Sequence, residues 1–115
     1  MIRLCNAPWS LYDYHLTDTK TKDFLGRCQV SPGWYHGEKV NEIWNVRIFD
    51  EFRRKGYATL MLSRIIKKYK RDVLPLVLYV AKDNDIAMHL YKKLGFEIIG
   101  EYGSNAWAMQ YKPNR

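Results

Sequence analysis

Long hydrophobic runs are missing from this chain of 115 residues. No apolar stretch nears the ~18 residues that a membrane-spanning helix needs. The start, Met1-Ile2-Arg3-Leu4, lacks the apolar core of a signal peptide. A soluble, cytoplasmic protein is therefore expected. Cysteine is scarce: Cys5 and Cys28 stand at no motif spacing, and with three scattered histidines they compose no zinc signature. No metal is expected, and free thiols are the default in a reducing compartment. The phosphate-binding patterns G-x-x-x-x-G-K-S/T and G-x-G-x-x-G are absent, which excludes a Walker loop and a dinucleotide fingerprint. Repeats, linkers and low-complexity segments are absent as well. The whole chain is expected to fold as one domain with a single modest core.

Acidic residues are the minority, 12 against 19 basic ones, for a formal net charge of +7. That excess favours an anionic partner: a phosphate-bearing cofactor, a nucleic acid or an acidic protein surface. A hydrophobic content of 47% and an aromatic content of 15% argue for a folded globule rather than disorder.

The chain is organised around Arg53-Arg54-Lys55-Gly56-Tyr57-Ala58. Before it, Lys39 to Ile48 reads as a strand in which Trp44, Val46 and Ile48 share one face while Asn45 and Arg47 point the other way. After it, Ala58, Leu62, Ile65, Ile66 and Tyr69 recur with the spacing of a helix core stripe. A strand that feeds a helix through a glycine-bearing turn leaves backbone N–H groups at the positive end of the helix dipole. Three cations stand at the same place, and Gly56 lets a ligand approach the backbone closely. A phosphate or pyrophosphate is the expected occupant, and a solvated basic surface is the plainer alternative.

Upstream, Trp9 to Thr17 and Asp23 to Ser31 read as an antiparallel hairpin that Pro32-Gly33 breaks. Downstream, Leu76 to Val80 reads as a buried strand. Asp and Asn residues at 83–85 suit a helix start, with Ile86, Ala87, Leu90, Tyr91 and Leu94 as its apolar stripe and Gly95 at its C′ position. Phe96 to Gly100 and Asn105 to Tyr111 read as the last strands, and Lys112 to Arg115 as a frayed end. The order is β-β-β-α-β-α-β-β, an α/β or α+β layout with one mixed sheet.

Two blocks together carry a resemblance. Val46 to Ala58 resembles the first signature of the GNAT superfamily of N-acyltransferases: a strand, then an arginine or glutamine, two residues, glycine, one residue, glycine or alanine, and a helix. Asn84 to Phe96 resembles its second block, N-x-x-A-x-x-L-Y-x-x-x-G-F. The resemblance covers roughly Glu42 to Gly100. It implies a GNAT-like mixed sheet flanked by helices. It also implies acetyl-CoA as cosubstrate and an amine acceptor, whether a protein lysine, an N-terminus or a small molecule, attacking directly in a ternary complex.

Residue by residue, Arg53, Arg54, Lys55, Gly56, Tyr57, Ala58 and Thr59 fall on or beside the family's pyrophosphate loop. Val46 and Ile48 match the strand beside the pantetheine arm, Asn84 a residue that contacts CoA, and Tyr91 the tyrosine that protonates the leaving thiolate. Glu42, eleven residues before Arg53, matches the general base of the histone-acetylating members. In the members that acetylate protein N-termini the base sits where this chain has Tyr79, which could relay a proton through water. His36 and His89 are weaker candidates for the base. The sequence has no room for the two helices usually found between the family's first strands. The acceptor groove is therefore expected to be open, or completed by a second subunit in a homodimer. A non-enzymatic alternative is a basic nucleic-acid or protein binder that keeps the CoA-like loop and stacks Trp9, Trp34, Tyr35 and Trp44 on bases. A hybrid of the two acylates charged transfer RNA.

Overall fold

The computed structural model describes residues 1–111, so the fraying expected at Lys112 to Arg115 lies outside the described residues. Seven strands form one sheet, in the order β1-β2-β3-β4-β5-β7-β6. They are β1 (Ile2–Asn6), β2 (Asp13–Asp18), β3 (Phe24–Tyr35), β4 (Glu38–Ile48), β5 (Leu76–Ala81), β6 (Glu97–Tyr102) and β7 (Ala106–Tyr111). Helix α1 (Tyr57–Lys68) joins β4 to β5 through a 3-10 turn at Asp50–Phe52, and α2 (Asp85–Leu94) joins β5 to β6. All neighbouring strands pair antiparallel except β4 and β5, which the α1 crossover makes parallel.

The core lies where the apolar stripes of both helices meet one face of the sheet. Met61, Leu62 and Ile65 of α1 are fully buried against Leu16, Leu25, Val30, Ile43, Leu76, Leu78 and Met109. Alternation along β5 sends Leu76, Leu78 and Val80 into this core, and Tyr79 to the opposite face. Among the described residues, no helix is long and apolar enough to cross a membrane.

Five expectations are corrected. An additional strand, β1, precedes the first one expected: Ile2 and Leu4 pack against the core while Arg3 points out, a pattern too short to stand out by itself. The second strand starts at Asp13 rather than Trp9, which lies in a turn and is 71% exposed. Pro32-Gly33 does not break β3. The pairing with β2 ends at Gln29, so beyond it the side that β2 would cover is free, where a proline without an N–H is tolerated. In α2, Ile86 is 87% exposed rather than part of the core stripe.

The fifth correction decides where the site forms. Asn45 has φ 54, a left-handed conformation, and the β3–β4 register shifts beside it. This bulge inserts one residue and reverses the alternation. Ile43, Val46 and Ile48 therefore all join the core cluster, and Trp44 turns to the opposite face with Glu42, not to the face of Val46 and Ile48. Pairing of β4 with β5 stops at Ile43↔Leu78, just before the bulge. Beyond it β4 continues along β3 alone, to Gly26↔Ile48, and parts from β5. Asparagine is one of the few side chains that tolerate this conformation, and the Asn45 amide donates to Gln29 Oε1 at 2.5 Å.

Asn45→Val places a β-branched residue at positive φ and is expected to lower stability by about 1–3 kcal/mol. Asn45→Gly relieves the backbone and is expected to lose less, chiefly the Gln29 bond. Urea denaturation of both checks this. Equal losses would mean that the backbone conformation is not the constraint.

Candidate active site

The parting of β4 from β5 opens a cleft of about 500 Å³. Its walls are Val46 and Ile48 of β4, the turn residues Phe52, Arg53, Arg54 and Gly56, the start of α1 at Tyr57, Ala58 and Thr59, and Asn84, Ile86, Ala87, Leu90 and Tyr91 at α2. All the residues expected to hold a CoA-like ligand line it except Lys55, which is exposed and stands outside the lining. Tyr91, the expected acid, lines the same cleft; Glu42 does not.

The turn is built to present backbone donors. Arg54 (φ 64) and Gly56 (φ 79) are both left-handed, which folds the chain tightly before α1. Gly56 is the N-cap, no side chain caps the helix, and its first turn carries no acid. The first N–H groups of α1 thus face the cleft end without the side-chain acceptor that usually covers them. A Cβ at Gly56 would meet nothing within 4 Å, so glycine is needed there for its conformation and leaves the approach to the backbone open. None of the lining residues is acidic, and two are arginines. Arg53 is partly committed to the turn: its Nε donates to the Ile48 carbonyl at 3.1 Å and its Nη2 pairs with Asp50 at 3.2 Å.

Asn84 caps α2, with its side-chain oxygen accepting from the Ala87 N–H at 3.2 Å. This fixes the start of the helix that carries Tyr91. Tyr91 is 9% exposed. Burial, with a smaller contribution from the neighbouring Cys28 thiol, raises its phenol above the ordinary value. The group therefore stays protonated across the neutral range and can act as a proton donor.

On the other face of the sheet, Glu42 and Tyr79 belong together. The Tyr79 hydroxyl donates to Glu42 Oε2 at 2.6 Å, and Trp44 Nε1 donates to Glu42 Oε1 at 3.3 Å. The two residues that compete in the sequence for the role of base thus form one hydrogen-bonded pair. Burial, then the bond to Glu42 and its charge, push the Tyr79 phenol well above its ordinary range. The pair sits in a second pocket of about 400 Å³, lined also by Trp34, Tyr35, His36, Trp44, Glu101, Tyr102 and Gly103. His36 is thus at the rim of this pocket, whereas His89 is in neither.

Two residues that matter here were not expected at the site: Gly33 was read from the sequence only as part of a strand break, and Tyr102 was not singled out. Gly33 on β3 makes room for the Glu42 side chain: a Cβ there would stand 2.2 Å from Glu42 Oε1. Tyr102 stacks on Tyr79 with ring centroids 4.0 Å apart. A glycine inside a strand is the one signal that could have flagged the first, since it often marks close packing; Tyr102 had none. Among the described residues, no group of three or more His, Cys, Asp or Glu side chains could hold a metal ion.

The fold and the cleft agree with what the chain is similar to. The acetyltransferase (GNAT) family matches residues 5–96. The chain belongs to this family. It is 32% identical over 100 residues to spermidine N(1)-acetyltransferase of Escherichia coli (strain K12), an alignment covering 79% of this chain and 53% of that protein. The chain therefore spans about half the length of that relative. Spermidine N-acetyltransferase from Vibrio cholerae, in complex with CoA and spermine, shares the fold with TM-score 0.75 at 21% identity, over 88% of this chain and 64% of that one. NAA60 from Arabidopsis thaliana, in complex with acetyl-CoA, does so with TM-score 0.71 at 15% identity, over 87% and 75%. Against the family's usual layout, no helix separates any of the strands β1 to β4.

Gly33→Ala tests how Glu42 is held. The atoms that a Cβ meets are the far end of a flexible side chain, so the melting temperature is expected to stay within about 5 °C of wild type. The carboxylate is expected to swing away from Tyr79, so that Tyr79 ionises at lower pH in an ultraviolet titration. An unchanged titration would show that Gly33 does not set the carboxylate's place.

Proposed function

We propose that the chain is an acetyl-CoA-dependent N-acetyltransferase. The observation that carries this reading is the convergence on one cleft of a parted strand, an uncapped helix start and a buried tyrosine. The fit to a diphosphate rests on the open backbone at Gly56, two arginines and the absence of any acid in the lining. The exposed Ile86, with Val46 and Leu90, offers an apolar wall to a pantetheine arm.

Acetyl-CoA supplies an acetyl thioester, whose C–S bond breaks as the C–N bond to the acceptor forms. The chain's residues make that exchange feasible. An alkylammonium with pKa ~10.4 is free amine in only about 1 part in 2,500 at pH 7, roughly 4.6 kcal/mol uphill. Glu42, with Tyr79 bonded to it, accepts the proton that the acceptor must lose, directly or through water. The part of β4 that has left β5 offers backbone N–H groups to the negative charge developing on the carbonyl oxygen. Tyr91 gives its proton to the departing thiolate. A phenol at its ordinary value near 10 protonates a thiolate near 8.5 at a cost of about 2 kcal/mol, and burial, which raises the Tyr91 phenol, adds to that cost. The acceptor enters on the Glu42 face, opposite the core, and the relatives named for spermidine make a small-molecule amine the first class to try.

Thermal unfolding with acetyl-CoA tests the cleft. At 100 times Kd the ligand adds ~2.7 kcal/mol, a rise of roughly 10 °C for a domain of this size. Gly56→Glu is expected to abolish the rise. Because Gly56 is left-handed, Thr59→Asp is the safer partner variant. A carboxylate in the first turn stabilises a helix, so loss of the ligand-induced rise there reflects repulsion of the diphosphate rather than unfolding. A wild-type protein that shows no rise at millimolar acetyl-CoA would sink the proposal.

Tyr91→Phe is expected to lower kcat about a hundredfold at pH 7 while leaving the acetyl-CoA-induced rise intact. The defect is expected to shrink above pH ~8.5, where a free thiolate no longer needs the proton. The wild-type rate should rise with pH as the amine deprotonates, with no fall assignable to Tyr91 below pH ~10, because that phenol is raised. A pH–rate profile of both proteins reads this directly; a gap that widens with pH would remove Tyr91 from the acid's role.

A further inference from the structure

The second pocket carries a reading of substrate class that rests on the proposed N-acetyltransferase activity. Its floor is a run of rings. Trp44 and Tyr79 lie 4.9 Å apart, Tyr79 and Tyr102 4.0 Å, and Trp44 and Tyr102 6.4 Å, with the last pair edge to face. Trp34 is 67% exposed and Tyr102 47%, so ring faces are left open to solvent. Tyr35 closes one side: its hydroxyl would stand 2.7 Å from a Cβ at Gly100, which ties the β3–β4 hairpin to β6.

The charges in the pocket are few. Among its lining residues only Glu42 and Glu101 are acidic. Glu101 is paired with Lys82 at 3.3 Å, and Lys82 also sits 4.3 Å from the centre of the Trp107 ring. Among the described residues, Glu42 is therefore the lining carboxylate without a cationic side-chain partner, held by two neutral donors. One carboxylate matches one ammonium. A second or third ammonium on the same acceptor would find no free counter-charge in the lining and would face a chain of formal net charge +7. Aromatic faces suit an apolar body, and they add cation–π attraction to the ammonium beside Glu42.

We infer that this pocket selects a small primary amine with one positive charge and an apolar, preferably aromatic, body, and discriminates against polyamines. The ammonium sits between Glu42 and the ring faces, and the body stacks on Trp44 and Tyr102. This sets the chain apart from the relatives named for spermidine.

The test compares 2-phenylethylamine with spermidine in two measurements. The first is quenching of tryptophan fluorescence by each amine without acetyl-CoA. The second is kcat/KM for acetylation of each, on wild type and Tyr102→Leu. Wild type is expected to bind and turn over 2-phenylethylamine roughly tenfold better than spermidine, an advantage on the scale of ring stacking and cation–π contacts. Tyr102→Leu is expected to reduce that ratio towards one. Because the ratio compares two amines on one protein, a general loss of activity cancels. Tighter binding of the aromatic amine without turnover of either amine would uphold the pocket while removing the enzymatic reading. Spermidine bound or acetylated as well as 2-phenylethylamine would overturn the inference. So would a ratio unmoved in Tyr102→Leu, or a peptide N-terminus that outcompetes the small amine.

Discussion

The site depends on one residue's conformation in a central strand. Asn45 at positive φ ends the parallel ladder after Asn41, Glu42 and Ile43 have paired with β5. A continuous ladder would have sealed β4 to β5 and spent their backbone groups on each other. With the ladder ended, Val46 and Ile48 keep β3 on one side and border a cleft on the other. The same bulge reverses side-chain alternation, so that Ile43 and Ile48 can both be core residues although an odd number of positions separates them. One inserted residue thus opens a space and assigns side chains to its two faces.

The two faces carry complementary chemistry. On the core side, the turn from Arg53 to Gly56 concentrates positive charge and open donors, and a buried phenol stands nearby. On the far side, a single carboxylate is fixed among rings. The positive charge of the turn and the carboxylate on the far face are therefore separated by the thickness of the sheet, and neither neutralises the other. Gly33 belongs to this arrangement as much as the charged residues do, since its missing side chain is the space that Glu42 fills.

Much of this was legible in the sequence, for identifiable reasons. Both helices were, because their stripes recur with helical spacing and because Gly95 marks an end that only a left-handed residue can make. The basic turn and Tyr91 were, because two spaced blocks resemble one family. The face of Trp44 was not: simple alternation from Ile48 backwards assumes a regular strand, and a bulge at an ordinary-looking Asn breaks that assumption without a local signature. The persistence of β3 through Pro32-Gly33 was hidden because whether a proline breaks a strand depends on which neighbour is present beside it. The union of Glu42 with Tyr79 was not readable either. They are 37 positions apart, and only the parallel register, with Glu42 opposite Val77, brings the two together.

The strand order also bears on how the chain reaches this state. Up to Ile48, every pairing joins neighbours along the chain, β1 to β2, β2 to β3 and β3 to β4. Such short-range closures are entropically cheap and form early. Strand β5 is different, because its antiparallel partner is β7, which the chain reaches only after α2 and β6. The N-terminal meander can therefore pair without β5, whereas the cleft needs both halves of the sheet and cannot exist until β5 has joined β4.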